Sequence, residues 1–504
     1  MALLRHVQRA TRPALGRPGL FLRYLSAGTD AHQHPLRVCV VGSGPAGFYA
    51  TKYLLKEHEG VHVDMLEALP TPYGLVRAGV APDHPEVKSV INDFEKVAAD
   101  DRFTFLGNVR VGEDVSVAQL LDNYNAVVLA YGASGDRELG VPNEHHRGVH
   151  SARAFVNWYN GHPAFRDLDV DLTRGDTAVI FGQGNVAVDC ARILTKSVDE
   201  LAVTDMSSHA VDALRNSSIK KVLLVGRRGS AQAAFTMKEL RELTKLDKVA
   251  CVVNPEELEK GLTPSSQEEI KQERAKKRMN ELLTKISENY GKTDAERSVE
   301  IRFLASPAEV VPDKNDPTSV GGVIVEKTRL EGEPNKQRAV GTGEFEEIPC
   351  GLVLRSIGYK SLPIETSVPF DTRRNVLANV QGRIVDPAND SKPVTGLYCT
   401  GWVKRGPTGI IGANIIDAKE TVSCLVDDLT SGNYLHAELP DGEQVGGIEA
   451  VKRVVLDANP SKQLITWTDF ETVSSEEVKR GEPAGKPREK FTSVDEMLDI
   501  VRAT

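Results

Sequence analysis

Beyond residue 35, the apolar positions fall into short β-branched runs that alternate with stretches of helical periodicity. Leu36–Val41 is the first such run, and it ends at Gly42-Ser43-Gly44-Pro45-Ala46-Gly47. Phe48, Ala50, Tyr53 and Leu54 then follow a helical pattern, and a second run, Val61–Leu66, ends in Glu67. Strands buried on both faces lack polar alternation, so this order predicts a strand–helix–strand unit. The same order returns at Thr177–Phe181, Gly182-Gln183-Gly184-Asn185-Val186-Ala187, and a helix through Val188, Ala191 and Leu194. Its next strand is expected over Lys220–Val225, running into Gly226-Arg227-Arg228, with Ser197–Ser218 intervening as an insertion. Residues 263–290 read as a highly charged helical stretch, and residues 312–345 as short strands and turns. A late strand, Leu397–Thr400, leads into Gly401-Trp402 and Gly406-Pro407-Thr408-Gly409-Ile410-Ile411.

The glycine segments carry chemistry. A pyrophosphate needs backbone N–H groups at a helix N-terminus, where the macrodipole favours anions. Gly42 permits the tight turn, Gly44 lets a phosphate approach bare backbone, and Gly47 lets the helix pack on its strand. An acid about 20 residues on, at a strand end, suits a ribose hydroxyl, and Glu67 is 20 residues beyond Gly47. This motif does not choose between FAD and NAD. In the second segment, Ala187 takes the third glycine's place and the strand ends in Arg227 and Arg228. Guanidinium groups hold a ribose 2′-phosphate that a carboxylate would repel, which points to NADP. Arg227 lies 40 residues beyond Ala187, the insertion accounting for the excess. The expected fold class is α/β with two Rossmann-like dinucleotide-binding domains, and two such sites in one chain imply hydride transfer from NADPH to a flavin.

Composition narrows the class. Hydrophobic residues are 40% and charged residues 26% of 504, as in globular chains. Apolar runs fall far short of the ~20 residues of a membrane span. The net charge of −9 argues against general nucleic-acid binding. Residues 1–29 carry five Arg and no acid, with Leu, Phe and Ser interspersed, and read as a mitochondrial transit peptide cleaved near Arg23–Ser26. Removing those five charges leaves −14. Six scattered cysteines show neither a C-x-x-C pair nor metal-ligand spacing. They are expected to be reduced and buried, so electrons must leave to an external acceptor.

Several longer segments resemble the adrenodoxin reductase family, the mitochondrial NADPH:ferredoxin reductases of the glutathione-reductase-like superfamily. They are Gly74-Leu75-Val76-Arg77, Gly79–Pro85, Phe181–Asp189, Val225–Arg228, Thr236–Glu242, Ser356–Lys360, Gly401–Gly409 and Gly485–Lys490. The likeness runs from about residue 36 to the C-terminus. It implies an FAD-binding domain in two segments, 30–135 and 362–504, the second with a C-terminal extension. An NADP-binding domain, 136–361, is inserted between them. It implies FAD contacts from Ala46, Glu67, Leu75, Val111, Trp402, Gly409, Ile410 and Ile411, beside Gly42, Gly44 and Gly47. NADP contacts are implied for Gln183, Gly184, Asn185, Val186, Arg227, Arg228, Glu239 and Gly409. A helix expected to start at Ile410 would set its positive end beside the flavin. The run Ile410-Ile411-Gly412-Ala413-Asn414 departs from the Thr-rich run of the animal enzymes. His84 is implied to lie near the flavin and to pair with Asp189, either as a proton relay or as a structural bond.

The implied acceptor is an acidic, adrenodoxin-like 2Fe–2S ferredoxin that serves haem monooxygenases or iron–sulfur assembly. A chain at −14 must attract it through a local basic patch. The resemblance places that patch at Arg241, Arg274 and Arg278, with Lys56 as a further candidate. The implied location is the mitochondrial matrix, with peripheral inner-membrane association allowed. Two rivals stand beside this reading: a quinone or other small-acceptor flavin reductase, and a non-catalytic NADP(H)-binding subunit of a fixed complex.

Overall fold

The computed structural model describes residues 35–292, 295–437, 439 and 444–504; the segment 1–29, read above as a transit peptide, lies outside them. Two sheets organise the chain. The first has seven strands, in the order 379–380, 383–386, Lys392–Cys399, Ala126–Leu129, Leu36–Val41, Val61–Leu66 and Phe103–Leu106. Its five strands from 392–399 to 103–106 run parallel, and the other two pair antiparallel at one edge. The second sheet has six parallel strands: Val149–Ser151, Leu352–Arg355, Thr177–Phe181, Lys221–Val225, Arg297–Arg302 and Val249–Val253.

Successive side chains of a strand point to opposite faces, and each sheet is covered on both. On the first sheet, Val38, Val40, Val63, Met65 and Val128 pack under the helices Pro45–Glu57 and Ala413–Thr430, while Cys39, Val41, Leu66, Leu129 and Cys399 face the opposite core. On the second sheet, Ala178, Ile180, Val222 and Leu224 meet helices, and Val179, Phe181, Leu223 and Val225 meet a third, antiparallel layer.

That layer differs from the expectation for residues 312–345. Instead of short strands, it contains the strands Ala305–Pro312, Val320–Glu331 and Arg338–Pro349. Val310, Val323, Val325 and Ile348 point inward, while the outer positions are rich in Lys, Arg and Glu, which obscured the period of two. The charged stretch 263–290 is two helices, Pro264–Gln272 and Arg274–Ser287, separated where Glu273 turns extended (φ −114°, ψ 111°). The insertion 197–218 folds as Val198–Ala202 and Ser208–Arg215, with Leu201, Ala210, Val211 and Leu214 in the core. The late helix begins at Ala413 rather than Ile410, because Gly412 occupies the N-cap and Ile410 remains 71% exposed. All six cysteines are free and buried. Among the described residues, no helix is long and apolar enough to cross a membrane.

Candidate active site between two glycine loops

Each glycine loop follows the C-terminal end of a central parallel strand, where open α/β sheets leave a crevice. In the first, Gly42 has φ +103°, and a β-carbon there would stand 2.8 Å from the Ala130 carbonyl oxygen. A β-carbon on Gly47 would lie 2.0 Å from the Gly42 carbonyl oxygen. At Gly44 nothing lies within 4 Å, so its backbone faces open space. Glu67 fastens the loop to the neighbouring strand: its carboxylate accepts from the Ser43 N–H at 3.0 Å and the Ser43 hydroxyl at 2.5 Å, and from the Leu69 N–H at 3.1 Å.

A cavity of about 480 Å³ opens above this loop, lined by Gly42, Gly44, Ala46, Glu67, Leu75, Trp402, Ile410 and Ile411. Val111 does not line it; its side chain is core, and the neighbouring Arg110 takes the cavity wall. Gly47 packs beneath the loop. Trp402 reaches the cavity because Gly401 (φ +77°) sits where a β-carbon would be 2.5 Å from the Ala46 β-carbon. Asp417 on the late helix holds that turn, accepting from the Gly401 N–H at 2.5 Å and the Thr400 hydroxyl at 3.0 Å.

The second loop repeats the cradle. Gly182 has φ +130° and leaves no room for a β-carbon beside the Ser356 carbonyl oxygen, 2.0 Å away, whereas Gly184 again faces open space. Gln183 turns its amide inward, donating to the Arg302 carbonyl at 2.8 Å. A cavity of about 1120 Å³ is lined by Gly184, Asn185, Val186, Arg227, Arg228 and Gly409, among others. Arg227 and Arg228 are exposed, and neither makes an ion pair among the described residues. Trp402 and Ile410 line both cavities, so the two meet there, and Tyr359 of the second cavity packs 5.6 Å from Trp402, ring to ring.

Glu239 lines neither cavity. It belongs to a buried charge cluster centred on Arg192, whose side chain is 2% exposed. Arg192 donates to Asp83 at 2.8 Å and to Asp189 at 2.7 Å, contacts His84 Nδ1 at 2.9 Å, and reaches Glu242 at 3.4 Å and Glu239 at 3.5 Å. His84 therefore reaches Asp189 only through Arg192. Its Nε2 bonds Glu242 at 2.9 Å, and its Nδ1 lies 3.2 Å from Asp83. Hydrogen bonding to Asp83 raises the His84 pKa against burial and the Arg192 charge. Burial pushes the Asp83 carboxyl up, but the bonds from His84 and Arg192 outweigh it and hold it well below the usual range. The sequence reading missed Arg192. Its signal was an Arg on a helix whose other positions are mostly small or apolar, three residues after Asp189.

Arg241, Arg274 and Arg278 are exposed on the helices Met237–Leu243 and Arg274–Ser287, which touch each other. Arg274 and Arg278 are four residues apart and so share a helix face. Lys56 is exposed in the last turn of Pro45–Glu57.

Residues 36–243 match the pyridine nucleotide-disulphide oxidoreductase family model. The chain is 48% identical over 473 residues to the mitochondrial NADPH:adrenodoxin oxidoreductase of Bos taurus, covering 92% of each. It is 44% identical over 482 residues to that of Arabidopsis thaliana, covering 94% of this chain and 97% of the relative. The solved structure of Mycobacterium tuberculosis FprA in complex with NADPH superimposes with a TM-score of 0.84 at 40% identity, over 93% of this chain and all of FprA. By both sequence and structure, the chain belongs to the NADPH:adrenodoxin oxidoreductase family.

Proposed function

We propose that this chain is a mitochondrial, NADPH-dependent flavoprotein reductase that passes electrons through FAD to a 2Fe–2S ferredoxin. The observation that carries this reading is the junction at Trp402 and Ile410 of two glycine-loop cavities with opposite charge at their strand ends. The first cavity fits FAD: Gly44 presents bare backbone at a helix N-terminus, and Glu67 offers a carboxylate at the strand end. Gly42, Gly47, Ala46, Leu75, Trp402, Ile410 and Ile411 shape that site, with Val111 supporting it from the core. The second fits NADP(H), through Gly184 to Val186 and the exposed Arg227 and Arg228, while Gln183 braces the loop from below. When bound, FAD would accept a hydride from NADPH and release electrons singly.

What this chain does is hold the two ring systems in contact. Gly409, at φ +84°, lines the second cavity and not the first, and keeps the backbone bare next to Ile410, where the two join. Trp402 and Tyr359 wall off solvent there. Hydride transfer needs alignment and exclusion of water more than an acid or base. We assign His84, Asp189 and Glu239 to a positioning role, because Arg192 ties the 81–86 loop to the second sheet's helix. The two segments around the first sheet form the flavin domain, and the inserted second sheet forms the nucleotide domain.

The ferredoxin docks on Arg241, Arg274 and Arg278, which are free of intramolecular pairs among the described residues, with Lys56 as a further candidate. The matrix is the compartment, with peripheral membrane contact as a secondary association. The six cysteines are all buried, which disfavours a disulfide-reductase reading.

The test is reduction of a mitochondrial 2Fe–2S ferredoxin by the FAD-loaded chain under low oxygen, with NADPH and NADH in matched runs. Fast reduction with NADPH alone is expected. Bleaching of the flavin by NADPH with the ferredoxin left oxidised would remove the acceptor and favour a quinone or a missing partner subunit. R241E/R274E should raise the ferredoxin KM about tenfold or more while reduction of a small dye is unchanged, as expected for charge reversal at a steering patch. Equal loss with both acceptors would place the damage in the fold instead.

A further inference from the structure

A third cavity, of about 550 Å³, opens between residues 73–95, the helical insertion and the C-terminal segment 470–490. It contains no residue of either glycine loop. Its wall holds more buried positive than negative charge. Arg77 and Arg488 share one carboxylate, Glu477, at 2.9 and 3.3 Å. Lys88 and Lys490 share another, Asp205, at 2.6 and 3.0 Å. Four cations thus face two carboxylates, and the Lys490 and Lys88 side chains are only 2% and 13% exposed. Lys196 is balanced by Asp83 and Glu200, and Glu95 is open to solvent.

Desolvated cations without matching anions are costly. Burial, together with the Lys88 and Arg77 charges, brings the Lys490 pKa down to about 7 despite Asp205. A second observation points into the same space. Tyr73 is 4% exposed, and its hydroxyl has no hydrogen-bond partner among the described residues. It lies within electrostatic reach of Arg77, Arg488 and Glu95, all of which line the cavity. A buried hydroxyl left unpaired is uncommon unless something else completes it. The remaining wall is mostly apolar, with Ile91, Val203, Phe470 and three prolines beside Thr204 and Ser474.

We infer that this cavity binds a small organic anion, an apolar body bearing a carboxylate or a phosphate. The head group sits among the four cations and the Tyr73 hydroxyl, and the body rests on Ile91, Val203 and Phe470. Arg77 lines both this cavity and the first, so the anion lies one side chain away from the proposed flavin site. The inference stands apart from the proposed electron acceptor.

The test is calorimetry on the full chain saturated with FAD and NADP⁺, so that both nucleotide sites are filled. Phenyl phosphate, benzoate and neutral benzyl alcohol are titrated in turn. Binding of at least one of the two anions and none of the alcohol is expected, and whichever anion binds more tightly names the head group. K490M should weaken that binding at least tenfold, and Y73F, which removes one oxygen, severalfold. If neither anion binds, if the alcohol binds equally well, or if Y73F binds as the wild type does, the inference falls. Y73F keeps the test decisive should K490M fail to fold.

Discussion

In the first glycine loop, a β-carbon on Gly47 would stand 2.0 Å from the Gly42 carbonyl oxygen, whereas the equivalent place in the second loop holds Ala187, fully buried and accommodated. The helix of the second loop is therefore set far enough from its turn to admit a methyl group. The strand ends differ too: Glu67 is tied to Ser43, while Arg227 and Arg228 are exposed and without an ion pair among the described residues. On the proposed assignment one backbone device would serve two ligands. The shared part, a bare glycine at a helix N-terminus, suits the phosphates that both dinucleotides possess, and the parts that differ suit the groups by which the dinucleotides differ.

Exchanging the third position between the loops breaks this comparison most sharply. G47A drives a β-carbon into backbone that cannot yield, an overpacking that costs at least 1–3 kcal/mol, on the order of other core insertions. The purified variant should retain less than about a tenth of the wild-type flavin, as 1.4 kcal/mol is roughly tenfold in affinity; the visible absorbance after gel filtration measures it. The reverse change, A187G, loses helix propensity and one buried methyl group, about 1 kcal/mol each, and should keep its flavin. Wild-type flavin content in G47A would mean that this helix can draw back from its turn as the Ala187 helix does.

The contrast in charge is probed next. A charge-assisted hydrogen bond contributes about 1.5–3 kcal/mol, so R227A/R228A should raise the KM for NADPH about a hundredfold. The KM for NADH, which lacks the 2′-phosphate, should stay within about twofold. If steady-state kinetics show both rising together, these arginines hold the pyrophosphate or the loop instead.

The smallest effect concerns the joint between the two sheets. The His84 pKa is raised in the folded chain, with Asp83, Glu242 and Arg192 facing its ring. A group with a raised folded pKa contributes stability that is fully present below its unfolded value, about 6.5, and is lost as pH rises through the folded value. Wild type should therefore melt above H84Q by about 1–3 °C at pH 5.5, with the gap closing as the pH climbs past the raised value. A gap that widens with pH would mean the neutral ring carries the contact. Asp83 works in the opposite sense: its depressed pKa contributes stability above about pH 4 that is lost on strong acidification.

Both strand–loop–helix units were legible from neighbouring residues, because β-branched runs, helical spacing and glycine turns are local signals. Gly42 to Gly47, Glu67, Gly182 to Ala187 and the Arg227–Arg228 pair were readable on the same ground. The antiparallel layer at 305–349 was not, since its polar outer face hides a period of two that only packing on Val179 and Phe181 reveals. Val111 and Glu239 were placed by resemblance; one turned out to be core and the other part of the Arg192 cluster. Arg192 itself escaped notice because its partner Asp83 is 109 residues away.

Local sequence was enough to specify two glycine-loop cradles and the opposite charges beside them, because turn geometry and charge are properties of adjacent residues. It could not say that the cradles open onto one another. That required Gly401 to be small enough to rest on Ala46, more than 350 positions earlier, and Asp417 to hold the turn so that Trp402 and Ile410 border both cavities. Packing of the C-terminal segment against residues 73–95 and the helical insertion likewise drew Arg77, Lys88, Arg488 and Lys490 around two carboxylates. Such meetings are made by packing between segments remote in sequence, and only the folded chain brings them together.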